Sequence, residues 1–286
     1  MAFLLRTEAE TLAQQLAGLN LQVDAADTLY PGAASRKRAG SGEQFWQYRR
    51  YGQSDAASRI DWRRSARTED FYVRETELET ARTILFWPDP QGSFDWSSHP
   101  DLHTKAERAK LLMLSLGILL AGSGERIGML SAPRSPSTGR QASSRLSDDF
   151  LHTHARAHPE PPRGQSLIVL ASDFYDPVGP LTTRLRELHQ SCRKGILLRI
   201  TDPVEHGFSY TGRVRFSQPG TGLSRLFGRA EEMRETYLSA FEAQNRAIHT
   251  TAHNAGWHVV DHCTDRPPLK GATALLSAMI AVDAHP

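Results

Sequence analysis

Thr83-Ile84-Leu85-Phe86-Trp87-Pro88-Asp89-Pro90-Gln91-Gly92-Ser93 is the stretch on which the fold turns. An apolar run of strand length stops at a proline, and a carboxylate follows in a loop of turn formers. Runs of the same kind recur downstream at 126–130, 167–171, 196–200 and 257–260. Helix-length segments separate them at 105–121, 143–157, 181–191 and 230–255, with Gly256 placed to cap the last, and 275–282 closes the fold. Strands alternating with helices mark βαβ units, so the spacing predicts an α/β fold with a mostly parallel sheet flanked by helices.

Upstream the pattern differs. Residues 71–87 hold two extended segments meeting near Thr80 and Ala81. Residues 30–42 read as a loop, and residues 7–21 place Leu12, Leu16, Leu19 and Leu21 at nearly helical spacing. The expected division is an N-terminal appended segment over 1–80 and the α/β domain over 81–286.

The chain of 286 residues is 39% hydrophobic and 23% charged, which fits a globular protein and excludes a disordered one. A formal charge of +2, from 34 basic against 32 acidic residues, is too small to make the whole protein a nucleic-acid or membrane-surface binder. The longest apolar stretch, 111–121, falls short of the roughly 20 residues of a membrane span. Residues 1–5 offer no secretory core, so a cytoplasmic location is expected. Cys192 and Cys263 have no CxxC spacing and read as packing residues of a reducing compartment.

In a parallel sheet all strands deliver their C-terminal ends to one rim, where ligands of open α/β folds bind. Asp89, Asp173 and Asp202 each follow a predicted strand. Capping alone explains Asp202. Asp89 and Asp173 leave two readings open, capping or an oxygen-ligand cation site for an ion such as Mg²⁺. The loop Asp89-Pro90-Gln91-Gly92-Ser93 resembles the Asp-x-Ser-x-Ser loop of von Willebrand factor A domains, whose metal-ion-dependent adhesion site adds a Thr from another loop and an Asp after a later strand. That resemblance implies Asp89, Ser93, Thr138 and Asp173 as ligands of Mg²⁺, in a degenerate site because Gln91 stands in place of the first Ser.

Residues 36–67 carry nine Lys or Arg and three acids, interleaved with Phe45, Trp46, Tyr48, Tyr51 and Trp62. Phosphate pairing and base stacking make nucleic-acid binding a physical possibility. Extending the window to Glu79 brings the tally to ten against eight, so the charge nearly cancels. An Arg-carboxylate network that also offers a protein-binding face accounts for the composition better. Arg49, Arg59, Asp61, Trp62, Arg63, Arg67 and Arg74 are its candidate residues, and no nucleic acid is expected.

The string Gly40-x-Gly42-Glu43-x-Phe45, Arg49-x-Tyr51, Asp55, Arg59-Ile60-Asp61-Trp62, Ser65-Ala66-Arg67 and Val73-Arg74-Glu75 resembles the hallmark of the bacterial domain-of-unknown-function family number 58. Ser54 departs from that family's usual Gly. The resemblance implies a von Willebrand factor A-like domain in a non-catalytic protein that works beside a MoxR-type AAA+ ATPase on a client protein.

Other signals are weak. Gly40-Ser41-Gly42 lacks a third glycine and a preceding strand, and no Walker A string exists. His154 with His158, and His249 with His253, are four apart without an HExxH motif and read as surface residues, while His258 and His262 read as ordinary packing or exposure. No Gly-x-Ser-x-Gly elbow is present, so no catalysis is expected. The competing expectations are a Mg²⁺-dependent enzyme acting on phosphoesters, motivated by rim carboxylates, and a nucleic-acid-binding protein.

Overall fold

The computed structural model describes residues 2–24, 39–52, 60–66, 70–77, 81–152, 158–162, 164–190, 194–217 and 222–284. The chain forms two compact units, one of residues 1–26 with 83–286 and one of residues 27–82. Helix α1 (Ala2–Asp24) therefore groups with the α/β unit, whereas the division expected at residue 80 put it with the appended segment. The reason is its apolar stripe: Ala9, Leu12 and Leu16 are buried in the main core.

In the 27–82 unit, β1 (Ala39–Arg50) pairs antiparallel with β2 (Tyr72–Glu77), with Arg49 opposite Val73 and Tyr48 opposite Arg74. The register slips around Phe45. Residues 39–42, expected in a loop, begin β1, and 30–38 lie outside the described residues. A single turn, α2 (Trp62–Ser65), sits between the strands in sequence, with Asp61 as its N-cap accepting from the Arg64 N–H.

The larger unit follows the βαβ pattern. Its elements are β3 (Thr83–Pro88), α3 (Lys105–Gly122), β4 (Arg126–Met129), α4 (Gly139–His152), β5 (Leu167–Ser172), α5 (Val178–His189), β6 (Lys194–Thr201) and α6 (Pro203–Gly207). The hairpin β7 (Val214–Ser217) and β8 (Ser224–Phe227) follows, then α7 (Arg234–Asn254), β9 (Trp257–Cys263) and α8 (Pro268–Ala284). The five expected strands form one parallel sheet in the order β4-β3-β5-β6-β9. This is the 2-1-3-4-5 order of doubly wound folds, and its direction reverses between β3 and β5. The architecture is that of a Rossmann-like, von Willebrand factor A-type fold.

Alternation along the strands splits the core. Ile84 and Phe86 face the cluster that holds α1, α3, α4 and α8 residues, while Leu85 and Trp87 face the α5 and α7 side. Parallel strands covered on both faces read as unbroken apolar runs, which is why they stand out in the sequence. Helix α3 is buried along most of its length, between the sheet and α1, α4 and α8. Gly256 takes φ 72° just after α7, the left-handed conformation a C-terminal glycine supplies. The α7 segment starts later than expected, behind a 3₁₀ turn at Ala230–Met233. No helix among the described residues is long and apolar enough to cross a membrane.

Candidate functional site

Asp89 and Asp173 emerge from adjacent strands at the switch point, at the tips of β3 and β5. The Asp89 backbone N–H donates to the Ala171 carbonyl at 2.8 Å. Its carboxylate accepts from the Ser172 hydroxyl at 2.5 Å and from the Gln91 N–H at 2.9 Å. Burial pushes its pKa above the ordinary carboxylate value, against the pull of those hydrogen bonds. Asp89 and Asp173 are only 8% and 7% exposed, so these two rim carboxylates are sealed from solvent.

What closes it is Lys105, the first residue of α3, at 2% exposure. Its ammonium donates to Asp173 at 2.6 Å and to Glu205 at 2.8 Å. The rings of Tyr175 and Trp96 lie 5.1 and 5.9 Å from it. Burial disfavours the charge, but the two carboxylates outweigh that and hold its pKa above the usual lysine value. The second oxygen of Glu205 accepts from the Asp202 N–H, and Asp202 caps α6 through the Val204 N–H. Asp202 also accepts from the Ser98 N–H, pinning the loop that leads into α3. Capping accounts for Asp202 as expected, with that cross-loop bond added.

These residues do not fit a hard divalent cation. An ion at Asp173 would have to displace an ammonium already in charge-assisted contact, and the two Asp89 oxygens are engaged by internal donors. Gln91 turns outward, its amide donating to Asp176 at 3.1 Å. Ser93 sits half-buried in the turn at 92–95. Thr138 is misplaced for the role: Ser137 bridges Ile127, which is level with Ile84 at the start of β3. Asp89 lies beyond the far end of that strand, about 16 Å along it at ~3.3 Å per residue. Among the described residues, no group of three or more His, Cys, Asp or Glu is arranged to hold a metal ion.

In the 27–82 unit, Asp61 accepts from the Tyr48 hydroxyl at 3.2 Å as well as capping α2. Arg50 pairs with Asp70 at 2.9 Å, and Arg64 stacks over the Tyr48 ring at 4.5 Å. Trp62 is 62% exposed and meets Phe71 edge-on, and Arg63 is exposed. Arg59 and Arg67 lie outside the described residues, and Arg49 and Arg74 are described by their backbone only.

Sequence reasoning missed two features of the rim. The first is a cavity of about 240 Å³ past the ends of β6 and β9, lined by Arg199, Thr201, His206, Asn245, His249 and Asp261 among others. Asp261 pairs there with Arg199 at 3.1 Å and His249 at 2.8 Å. His262 is buried and His258 exposed, as expected; His158 is exposed, and His154 and Cys192 lie outside the described residues.

The second is the β7–β8 ribbon, inserted in the loop after β6 and closed at its base by the Ala230 N–H on the Gly212 carbonyl. Residues 209–230 contain no acid, and Arg213, Arg215, Arg225 and Arg229 are all exposed. Leu223 and Leu226 are 66% and 45% exposed. Phe216 and Phe227 anchor the ribbon by ring contacts with each other and, through Phe216, with Phe208 and Tyr210.

Residues 47–247 match the model of a family described as "Protein of unknown function DUF58". The chain is 27% identical over 253 residues to uncharacterized proteins of Mycobacterium bovis and Mycobacterium tuberculosis, covering 79% of this chain and 76% of theirs. No solved structure matches it significantly.

Proposed function

The chain belongs to the DUF58 family, and from that premise we propose that it is a non-catalytic interaction module working with a MoxR-type AAA+ ATPase in the assembly or activation of client proteins. The observation that carries this reading is the β7–β8 ribbon after β6, where exposed Arg213, Arg215 and Arg225 stand with two exposed leucines on a stretch without acids, while Arg229 at its base pairs with Glu232. Arginine forks pair bidentately with carboxylates, and exposed leucines add apolar area at the contact. A partner bearing an acidic, partly apolar surface suits it. The exposed Trp62 and Phe71 pair offers another apolar contact on the 27–82 unit. The partnership places the protein in the cytoplasm, where such ATPases find their nucleotide.

Mg²⁺-dependent phosphoester hydrolysis has less support, because it needs carboxylate oxygens open to a cation and those of Asp89 and Asp173 serve internal donors. The test is binding of the full chain to a MoxR-type ATPase loaded with a non-hydrolysable nucleotide. Wild type should bind with salt-sensitive affinity, and the Arg215→Glu/Arg225→Glu pair should weaken it about tenfold or more without lowering thermal stability. Equal binding by the pair, or none by wild type, refutes the proposal.

A further inference from the structure

We infer that the Lys105 ammonium is a built-in cation, covalently tethered where a switch-point metal ion would join the rim loops, so that this von Willebrand factor A-type rim is organised without a metal. The inference rests on ion-pair geometry and is independent of any partner.

The connections that follow three adjacent strands of the sheet meet at this one nitrogen. Lys105 belongs to the segment that follows β3, Asp173 follows β5, and Glu205 lies in α6 after β6. A bridging ion does the same work in a metal-dependent rim, drawing oxygen ligands from separate loops to one centre. The location is otherwise unfavourable for a lysine. The first turn of a helix repels positive charge, and burial penalises it further. Two carboxylates at 2.6 and 2.8 Å, under the ring faces of Tyr175 and Trp96, offset both costs. Asp89 is served separately by Ser172 and the Gln91 N–H, so it needs no cation. A tethered charge is also always present, whatever the metal concentration, and cannot be chelated.

The experiment uses the full chain and measures Mn²⁺ binding by electron paramagnetic resonance, together with thermal unfolding in millimolar Mg²⁺ or in EDTA. Wild type should bind no Mn²⁺, and its unfolding should be the same in both buffers. Lys105→Ala, which leaves Asp173 and Glu205 facing a vacated position, should bind Mn²⁺ at concentrations about tenfold or more below any at which wild type shows a bound signal, and unfold at higher temperature when Mg²⁺ is present. Asp173→Asn in that background should abolish the gain. Mn²⁺ binding by wild type that Asp173→Asn removes would overturn the inference, as would a folded Lys105→Ala that gains no affinity. Should Lys105→Ala fail to fold, the wild-type measurements with Asp173→Asn decide alone.

Discussion

Burial sets the charge of His262 before any partner does. At 2% exposure, burial, with Arg108 and Arg266 nearby, pushes its pKa from 6.5 down to about 4. The ring stays neutral in the fold, where its Nε2 lies 3.1 Å from an Arg108 nitrogen. The unfolded chain takes up a proton near its ordinary value and the folded chain resists, so stability is full above that value and drains away as pH falls from 6.5 toward 4. The loss should reach about 3 kcal/mol at the acid end, at 1.36 kcal/mol per unit. Urea denaturation at about pH 7 and about pH 4 measures it, and His262→Gln, which keeps an acceptor for Arg108, should flatten that part of the slope. Asp89 works in the opposite sense. Its raised pKa means its contribution is whole below 3.8 and fades as pH rises through the folded value. Asp89→Asn should therefore be as stable as wild type or more so at about pH 7, with the advantage gone at about pH 3; a variant weaker at neutral pH would contradict this. Both aspartates were readable as strand-end residues because any parallel sheet delivers such positions to one rim. Lys105 was not, since a lysine beside an apolar helix carries no sign that it folds inward; only the distant Asp173 and Glu205 turn it. Thr138 was misassigned because sequence order does not say at which end of the sheet a loop returns.

Strands β6 and β9 show how little room an element leaves for a side chain. Gly195 of β6 pairs with Trp257 of β9, and a methyl group at Gly195 would lie 2.2 Å from the indole ring. Relief requires moving a ring that is 3% exposed in the α5 and α7 side of the core. Gly195→Ala should cost about 3 kcal/mol, at the upper end of overpacking, and chemical denaturation with Trp257→Phe as a partial rescue checks it. Apolar density made the five sheet strands legible, and their bounds fell within a few residues of those expected. The β7–β8 ribbon escaped because its strands are only four residues long and mostly exposed, with Arg215 opposite Leu226 and Arg225 opposite Phe216. β7 alternates over only four residues, Val214 and Phe216 against Arg215 and Ser217, and β8 does not alternate, so the period is too short to read.

For the molecule as a whole, helix α1 is the piece whose role depends most on distant sequence. Leu16 is 1% exposed in the cluster that includes α3 and α8 residues. Leu16→Ala should destabilise the protein by about 3 kcal/mol, within the usual range for a buried leucine, and the unfolding transition should stay single if the helix belongs to the same cooperative body. An early separate loss of helicity would show α1 to be an independent appendage. The leucine spacing announced a helix but could not name its neighbour, because an apolar stripe specifies only that something must cover it.

The grouping of α1 with the sheet also changes how residues 27–82 are held. The chain joins them to the larger unit at both of their ends, and the second junction leads into Thr83, which opens β3, a strand flanked on both sides within the sheet. The segment is thus a handle riveted at two points instead of a rope with one free end.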